Sequence, residues 1–426
     1  MLTETQNRTL TEVGPETPMG DYLRRYWHPI AGESELDDQP IKPIRILGED
    51  LVLYRDLQGT FGLVERHCAH RRADLSYGMV DEQGIRCHYH GWCYNQTGAC
   101  VARPFDDIAF PEQNLRERIR INAYPVDVKG GMVWAYMGPQ PVPQLPDWEA
   151  FSWPNGFTQV VISEIPCNWF QCQENSIDPV HFEWMHENWD KQLRGDDSGF
   201  GSRHLKLDFV EFDHGFTYRR IKDDTDEEDE NWTVGRVFLW PNGFFLGDHF
   251  EWRVPIDDSN TLSITWKYTR VPRDRDPYVQ EQIPTWHGPL YDSEGKWITS
   301  HVMNQDFLAW VGQGVIADRT KENLGASDRG VLAIRRRFFE ELDKVAAGGE
   351  PKGTIREPQL NTRVELPMMN RDGVLSGLTR DEITKGPPLH RLVLTSYIFQ
   401  AGQPDEVKRQ FREATGFDSI DYEGLK

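Results

Sequence analysis

Between residues 44 and 140 apolar and polar positions alternate over short runs, in "PIRILGEDLVLYRD", "TFGLVER" and "INAYPVDVKGGMVWAYMG". Period-two alternation, Gly and Pro punctuation and the Gly130-Gly131 turn pair predict a small antiparallel β domain. Ahead of it, "MGDYLRRYWHP" predicts a short helix. The stretch "GPQPVPQLPDWEAFSWP" carries five prolines and reads as a connection between domains. Beyond residue 157 the pattern is mixed. "FTQVVISEIP" predicts a strand and "NWFQCQENS" the start of a helical region. "GRVFLWPNGFFLG" and "HFEWRVPIDDSNTLSITWKYTRV" predict hairpin strands, the second turning at Asp257-Asp258-Ser259-Asn260. In "RGVLAIRRRFFEELDKVA" the apolar residues 331, 334, 338, 342 and 345 mark one face of a helix, which assigns Arg335-Arg336-Arg337 to the solvated side. The acidic run "DDTDEEDEN", residues 223 to 231, reads as a solvated loop.

Composition narrows the class. A chain of 426 residues exceeds what one core usually serves, and 38% hydrophobic content with 15 Trp is that of a globular protein of two domains. A net charge of -21 argues against nucleic acid, whose phosphates it would repel. The N-terminal residues are neither basic nor apolar, and no run of about 18 apolar residues follows. A soluble, cytoplasmic protein is expected. Six cysteines make no disulfide scaffold, and a reducing compartment suits thiolate metal ligands.

Two constellations carry chemistry. The first is Cys68-x-His70, sixteen residues, then Cys87-x-x-His90. Two thiolates and two imidazoles satisfy a tetrahedral zinc or a 2Fe–2S cluster with cysteines on one iron and histidines on the other. Each short loop here offers one Cys and one His, as a cluster straddled by two loops requires. Gly78, Gly91 and Gly98 allow tight turns that could aim N–H groups at bridging sulfides. The stretch "CAHRRADLSYG…CHYHGWCYNQTGAC" resembles the Rieske motif. That resemblance implies Cys68, His70, Cys87 and His90 as cluster ligands, and leaves His67 and His88 as turn or surface residues. The loop disulfide of respiratory Rieske proteins has Ala73 and His88 at its positions, which implies the oxygenase type of cluster. Cys93 and Cys100 are expected to be packing residues.

The second constellation is in "NWFQCQENSIDPVHFEWMH", where Asp178, His181 and His186 precede a separate carboxylate, Asp306 in "MNQDFLAW". Two imidazoles and one carboxylate suit a non-haem Fe(II) with open positions. Asp178-Pro179 also reads as a plain helix start, Asp at the N-cap and Pro at the first turn. Histidines five apart are about 140° apart on a regular helix, so a shared metal needs a kink, a bulge or a helix end. This stretch resembles the mononuclear-iron motif of Rieske oxygenase α subunits almost residue for residue.

The resemblance implies an α+β fold: an N-terminal antiparallel β Rieske domain and a C-terminal helix-grip domain, an antiparallel sheet with helices. Residues 1–43 are then a helical segment packing on the catalytic domain, 44–143 the Rieske domain and 144–426 the mononuclear iron domain. It implies His181, His186 and Asp306 as iron ligands, with Asp318 the competing carboxylate. Asp178 matches the acid that bridges an iron-site histidine to a cluster histidine of the next subunit, in a homotrimer or stacked trimers. Asn175, Phe182, Trp184, Phe244 and Trp310 are candidate pocket residues. A substrate carboxylate calls for a basic residue, with Arg194, Arg203, Lys206 and Arg236 as candidates.

"TEVGPETPMGDYLRRYWHP" and "WPNGFFLGDHFEWRVPIDD" resemble the phthalate dioxygenase branch, while Pro179 and "SIDPVHFEWMH" are closer to its dehydrodivanillate O-demethylase type. The implied activity is O2-dependent O-demethylation of a methoxylated aromatic acid, giving a phenol and formaldehyde. The alternative is cis-dihydroxylation of a phthalate-like acid. No G-x-G-x-x-G fingerprint occurs, so a separate NAD(P)H-dependent flavin and iron–sulfur reductase, with or without a ferredoxin, is expected as partner. A pure Rieske electron carrier would lack the long second half with its own His/His/Asp set, and a structural zinc protein with a hydrolase half would be colourless.

Overall fold

The computed structural model describes residues 1–113, 115–369, 377–386 and 401–417. Helices Glu4–Thr11 and Pro18–Leu23 open the chain, each capped by the threonine before it. The helix expected across "MGDYLRRYWHP" stops at Leu23, and from Trp27 the chain extends into a strand, so residues 1–43 are not a purely helical segment. The helical part does pack on the second half of the chain. The Asn7 amide donates to the Ala317 carbonyl at 3.1 Å, the Asn168 amide to the Thr11 carbonyl at 2.9 Å, and Trp240 Nε1 to the Tyr22 hydroxyl at 2.7 Å.

Eleven short strands follow up to Tyr136: β1 (Trp27–Gly32), β2 (Ile41–Ile46), β3 (Glu49–Arg55), β4 (Phe61–Glu65), β5 (Met79–Asp81), β6 (Gly84–Arg86), β7 (Cys93–Tyr94), β8 (Cys100–Ala102), β9 (Ala123–Tyr124), β10 (Val126–Lys129) and β11 (Met132–Tyr136). They form three antiparallel sheets, ordered β2-β3-β4-β9, β5-β6-β7-β8 and β1-β11-β10. Val52, Tyr54, Val64, Leu75, Ile85 and Tyr94 close a separate small core around Cys68, Cys87 and Cys100. It underlies the two loops that carry the first constellation.

The second half is built on one eight-stranded sheet of β12 (Gly156–Ile165), β13 (His204–Phe212), β14 (Gly215–Lys222), β15 (Arg236–Leu239), β16 (Gly243–Leu246), β17 (His249–Asp257), β18 (Asn260–Arg270) and β19 (Thr285–His287). Its order is β13-β14-β15-β16-β17-β18-β12-β19. All pairs are antiparallel except β12 with the edge strand β19, which is parallel, so the expected all-antiparallel sheet holds for seven strands of eight. The β17–β18 hairpin turns where expected, with Asp257 paired to Asn260.

Alternation along the strands gives the sheet two faces. Phe250, Trp252 and Val254 join Trp134, Ile44 and Leu23 in one continuous core that unites the two halves of the chain. The opposite face, with Phe157, Val161 and Ile165, packs against Met303, Phe307 and Trp310 of helix Val302–Gly312. Among the described residues no helix is long and apolar enough to cross a membrane.

Helix Arg329–Ala346 buries the expected face, but Arg335 does not lie on its solvated side. Position 335 is adjacent to 331 and 338 on the helix surface, and the guanidinium there is 3% exposed, paired with Glu174 and Glu322. Glu174 is buried and also takes Arg319, so its charge draws both arginines inward. Arg336 is the exposed member of the run.

Candidate metal centres

The first cage stands on two loops. In the β4–β5 loop the Cys68 amide donates to the Ala73 carbonyl and the Arg72 amide to the Cys68 carbonyl, each at 2.9 Å. In the β6–β7 loop the Cys87 amide donates to the Trp92 carbonyl at 2.8 Å, and the Gly91 amide to the Cys87 carbonyl at 3.0 Å. Gly91 makes that turn at φ +73°, the region where a side chain is disfavoured. Gly78 and Gly98 likewise donate to Leu75 and Asn95 carbonyls. The three glycines therefore shape the loops with their own N–H groups consumed, rather than aiming those donors at sulfides.

Cys68 and Cys87 are 1% and 2% exposed, while His70 and His90 stand in solvent with ring centroids 4.5 Å apart. His70 stacks on Trp92 at 4.5 Å and 9°. Burial raises the Cys68 thiol above its ordinary pKa, and burial with the neighbouring His90 lowers His70. Tyr94 is fully buried with its hydroxyl 3.2 Å from Cys68 Sγ. The same oxygen accepts the Ala69 N–H at 3.1 Å, so its own proton is directed at the sulfur. Two buried sulfurs and two exposed imidazoles side by side are a donor set that would hold a 2Fe–2S cluster. Cys93 and Cys100 are buried packing residues, His88 is exposed, and His67 bridges to Asp74 across the loop.

The second cage depends on an unusual helix. Asp178 Oδ1 accepts the Val180 N–H at 2.8 Å, the cap expected at Asp178-Pro179. The chain then enters a π-helix over Phe182–Trp189. Wider i→i+5 turns bring residues five apart onto one side, which a regular helix would not do. His181 and His186 accordingly face each other with centroids 5.4 Å apart. Helix Val302–Gly312 supplies Asp306, whose Oδ1 lies 3.4 Å from His186 Nε2 and 3.7 Å from His181 Nε2. Donor atoms of the three lie within 4.8 Å of one another, and Asp306 is 6% exposed. Asp318 lies at the surface, held by Thr320 and Lys321, and takes no part.

Neighbouring groups fix these donors. Gln305 Nε2 donates to Asp190 Oδ1 at 3.2 Å and to the Thr299 carbonyl at 2.9 Å, so its oxygen faces His186 Nδ1, at 2.8 Å. Nδ1 is then the protonated nitrogen, and the Nε2 lone pair is left for a metal. Asn175 donates to Asp306 Oδ1 at 3.2 Å. Burial pushes the His186 imidazole down, but Asp306, Gln305 and Glu251 together more than offset it and raise it above its ordinary value. Asp178 Oδ2 lies 3.6 Å from His181 Nδ1, and although burial raises this carboxyl, His181 holds it below its ordinary value.

Asn175, Phe182 and Phe244 line the cavity at His181, His186 and Asp306. Trp184 does not. Halfway between the two histidines, it projects from the other side of the π-helix, 52% exposed, against Phe200 in an outer groove. Trp310 is also outside the cavity wall, 1% exposed and packed on Phe307. None of the expected basic residues lines the cavity. Arg194 pairs with Asp190, Arg203 with Asp223 and Lys206 with Glu227 near the surface, and buried Arg236 stacks on Phe182. The basic residue in the wall is Arg253, with His249 and Glu251 beside it, which sequence reasoning missed. Its signal was the period-two spacing of His249, Glu251 and Arg253 against Phe250 and Trp252.

A 2Fe–2S lobe and a two-histidine, one-carboxylate site on a helix-covered sheet define a Rieske oxygenase, and comparison with known proteins agrees. Residues 26–112 match the Rieske [2Fe-2S] domain, and residues 250–366 match the family described as LigXa C-terminal domain like. The chain belongs to the oxygenase subunits of the Rieske non-haem iron oxygenases. It is 57% identical to the 5,5'-dehydrodivanillate O-demethylase oxygenase subunit of Sphingobium sp. (strain NBRC 103272 / SYK-6), over 97% of each chain. It is 30% identical to the phthalate 4,5-dioxygenase oxygenase subunit of Pseudomonas putida, over 83% of this chain and 89% of that one. Among solved structures, Pseudomonas putida CBB5 NdmA shares the fold at a TM-score of 0.53 and 18% identity, covering 81% of this chain and 94% of that one. The protein is thus the oxygenase component of an enzyme system, with a Rieske cluster and a mononuclear iron as cofactors and a separate electron-supplying partner.

Proposed function

We propose that this oxygenase removes a methyl group from a methoxylated aromatic acid of the dehydrodivanillate type, releasing a phenol and formaldehyde. The observation that carries this reading is the 57% identity, spanning 97% of both chains, to an O-demethylase oxygenase subunit. Cys68, His70, Cys87 and His90 hold the cluster, and His181, His186 and Asp306 hold the iron. When bound there, the iron supplies the activation of O2 beside the substrate. The chain's residues do the rest. Gln305 keeps the His186 proton on Nδ1, Asn175 orients Asp306, and the rings of Phe182 and Phe244 wall a cavity that limits water. A methoxy carbon that gains a hydroxyl is a hemiacetal and collapses to the two products.

Asp178 is assigned as the link to a cluster histidine of the next subunit in a head-to-tail homotrimer. Its carboxylate, 31% exposed beside His181, and the exposed His70 and His90 support this arrangement. Six free cysteines support a reducing, cytoplasmic setting. Cis-dihydroxylation is the second reading, favoured by the phthalate 4,5-dioxygenase relative.

The test supplies reductase, NADH and O2 with 5,5'-dehydrodivanillate, and in parallel with phthalate. Formaldehyde in step with NADH consumption is expected from the first substrate; a cis-diol without formaldehyde would replace this reading with the second. Asp178→Asn is expected to lower turnover about 10- to 100-fold with both metals still bound, and turnover at the wild-type rate would remove Asp178 from the electron path.

A further inference from the structure

The wall of the iron-site cavity holds a charged row that neither metal uses. Strand alternation puts His249, Glu251 and Arg253 of β17 on the face toward the helices, each 2–4% exposed, and all three line the cavity of His181, His186 and Asp306. Charge buried this deeply persists only when it is paired. Glu251 is paired twice, with His249 Nε2 at 3.0 Å and with Arg253 Nη2. Arg253 is not fully served in return. Its guanidinium lies over the Trp310 ring, 4.6 Å from the centroid, and its Nε and Nη1 have no hydrogen-bond partner among the described residues.

A guanidinium that is 2% exposed with two of three nitrogens idle is costly unless something in the cavity accepts from it. The neighbouring charges on the sheet are already paired with one another. Across the hairpin Lys267 pairs with Asp248, and His249 is raised above its ordinary pKa because Asp248 and Glu251 outweigh the effect of burial. On the strand wall Asp248 and Glu251 thus face Lys267, Arg253 and His249, and neither carboxylate takes the two idle nitrogens of Arg253. Glu251 and Trp310 fix the guanidinium from two sides, so it is held ready rather than recruited.

We infer that Arg253 is the docking point for the carboxylate of the aromatic substrate and sets the enzyme's preference for aromatic acids over their neutral analogues. The inference rests on the proposed action on an aromatic acid and names the residue that reads the acid group. Because Trp310 lies one helical turn beyond Asp306, the same helix that supplies an iron ligand also steadies the anchor.

Calorimetric titration of the metal-loaded, full-length enzyme tests this with four probes: 5,5'-dehydrodivanillate, phthalate and the methyl ester of each. The wild type is expected to bind at least one acid more tightly than its ester. Arg253→Gln is expected to weaken that acid about 10- to 100-fold and leave the ester unchanged. Since this change leaves Glu251 with His249 as its one remaining partner, the paired variant E251Q with R253Q removes both charges together and is expected to show the same selective loss. R253K, which keeps charge but loses the planar fork, is expected to fall between. The inference is overturned if the wild type shows no preference for acid over ester, or if that preference survives both glutamine variants. Formaldehyde release from the same variants, supplied with reductase, NADH and O2, separates the two readings: acid preference lost with Arg253 but no formaldehyde from the wild type would sink O-demethylation and keep the anchor.

Discussion

The lobe that carries Cys68, His70, Cys87 and His90 makes its cage from two backbone turns, whereas the cage of His181, His186 and Asp306 joins helices whose contacting residues, His186 and Gln305, are 119 positions apart. In the first, loop hydrogen bonds aim the proposed ligands and the histidines stand in water. In the second, side chains aim side chains inside a buried cavity. The difference follows from what each site does. An electron carrier must present an edge to whatever delivers or takes its electron, so exposed imidazoles serve it. A site for O2 and an aromatic ring must exclude water, and burial transfers the task of positioning from backbone to a shell of polar neighbours.

The contrast predicts that the two cages fail independently. His186→Ala is expected to lower iron content from about three atoms per chain to about two and to abolish turnover while the cluster's visible absorption persists. Cys87→Ser is expected to do the reverse, losing the visible absorption and leaving the anaerobic binding of one Fe(II) in place. Iron analysis with absorption spectra checks both. If either change emptied both sites, the lobes would be one cooperative unit and the comparison would fail.

A smaller effect separates the two ways of aiming ligands. Gln305→Leu keeps the side chain's bulk and removes the oxygen that holds the His186 proton on Nδ1. Affinity for Fe(II), read by anaerobic titration, is expected to fall about 10- to 100-fold, with the cluster untouched. Unchanged affinity would mean that the π-helix alone aims the imidazole.

The same contrast explains what could be read from the chain. Cys68-x-His70 and Cys87-x-x-His90 are local patterns, and local patterns survive in one dimension. His181 and His186 are legible as candidate ligands only by resemblance, since a 3.6-residue period places them on different sides and nothing in "VHFEWMH" announces a π-helix. Asp306 is brought beside them by tertiary packing that period and composition do not encode. Arg335 and Arg253 were hidden for one reason: a charged residue is assigned to solvent by default, and its buried counter-charge, Glu174 or Glu251, lies elsewhere or looks equally solvated. Trp184 and Trp310 illustrate the converse. Large aromatics near a motif invite a pocket role, yet one faces an outer groove and the other fills the core. β13 carries a period-two signal in "HLKLDF" and β14 a shorter one in "FTYR", whereas β19, with only three residues, is too short to carry one.

The smallest expected effect lies at the cluster, where one side chain does what backbone does elsewhere in that lobe. Tyr94 accepts the Ala69 N–H and directs its own proton at Cys68 Sγ, 3.2 Å away. Adding an electron to the cluster makes its sulfurs more negative, so this bond strengthens on reduction and favours the reduced state. Tyr94→Phe removes the donor and leaves the buried ring in place. A net hydrogen-bond contribution of about 0.5–1.5 kcal/mol, converted at about 59 mV per tenfold for one electron, corresponds to a potential lower by roughly 20 to 60 mV. Redox titration followed by the reduced cluster's EPR signal measures it, with ligand count and iron content unchanged. A shift upward, or none, would mean that the loop amides and not Tyr94 set the charge balance at Cys68, and the cluster cage would then be aimed and tuned by backbone alone.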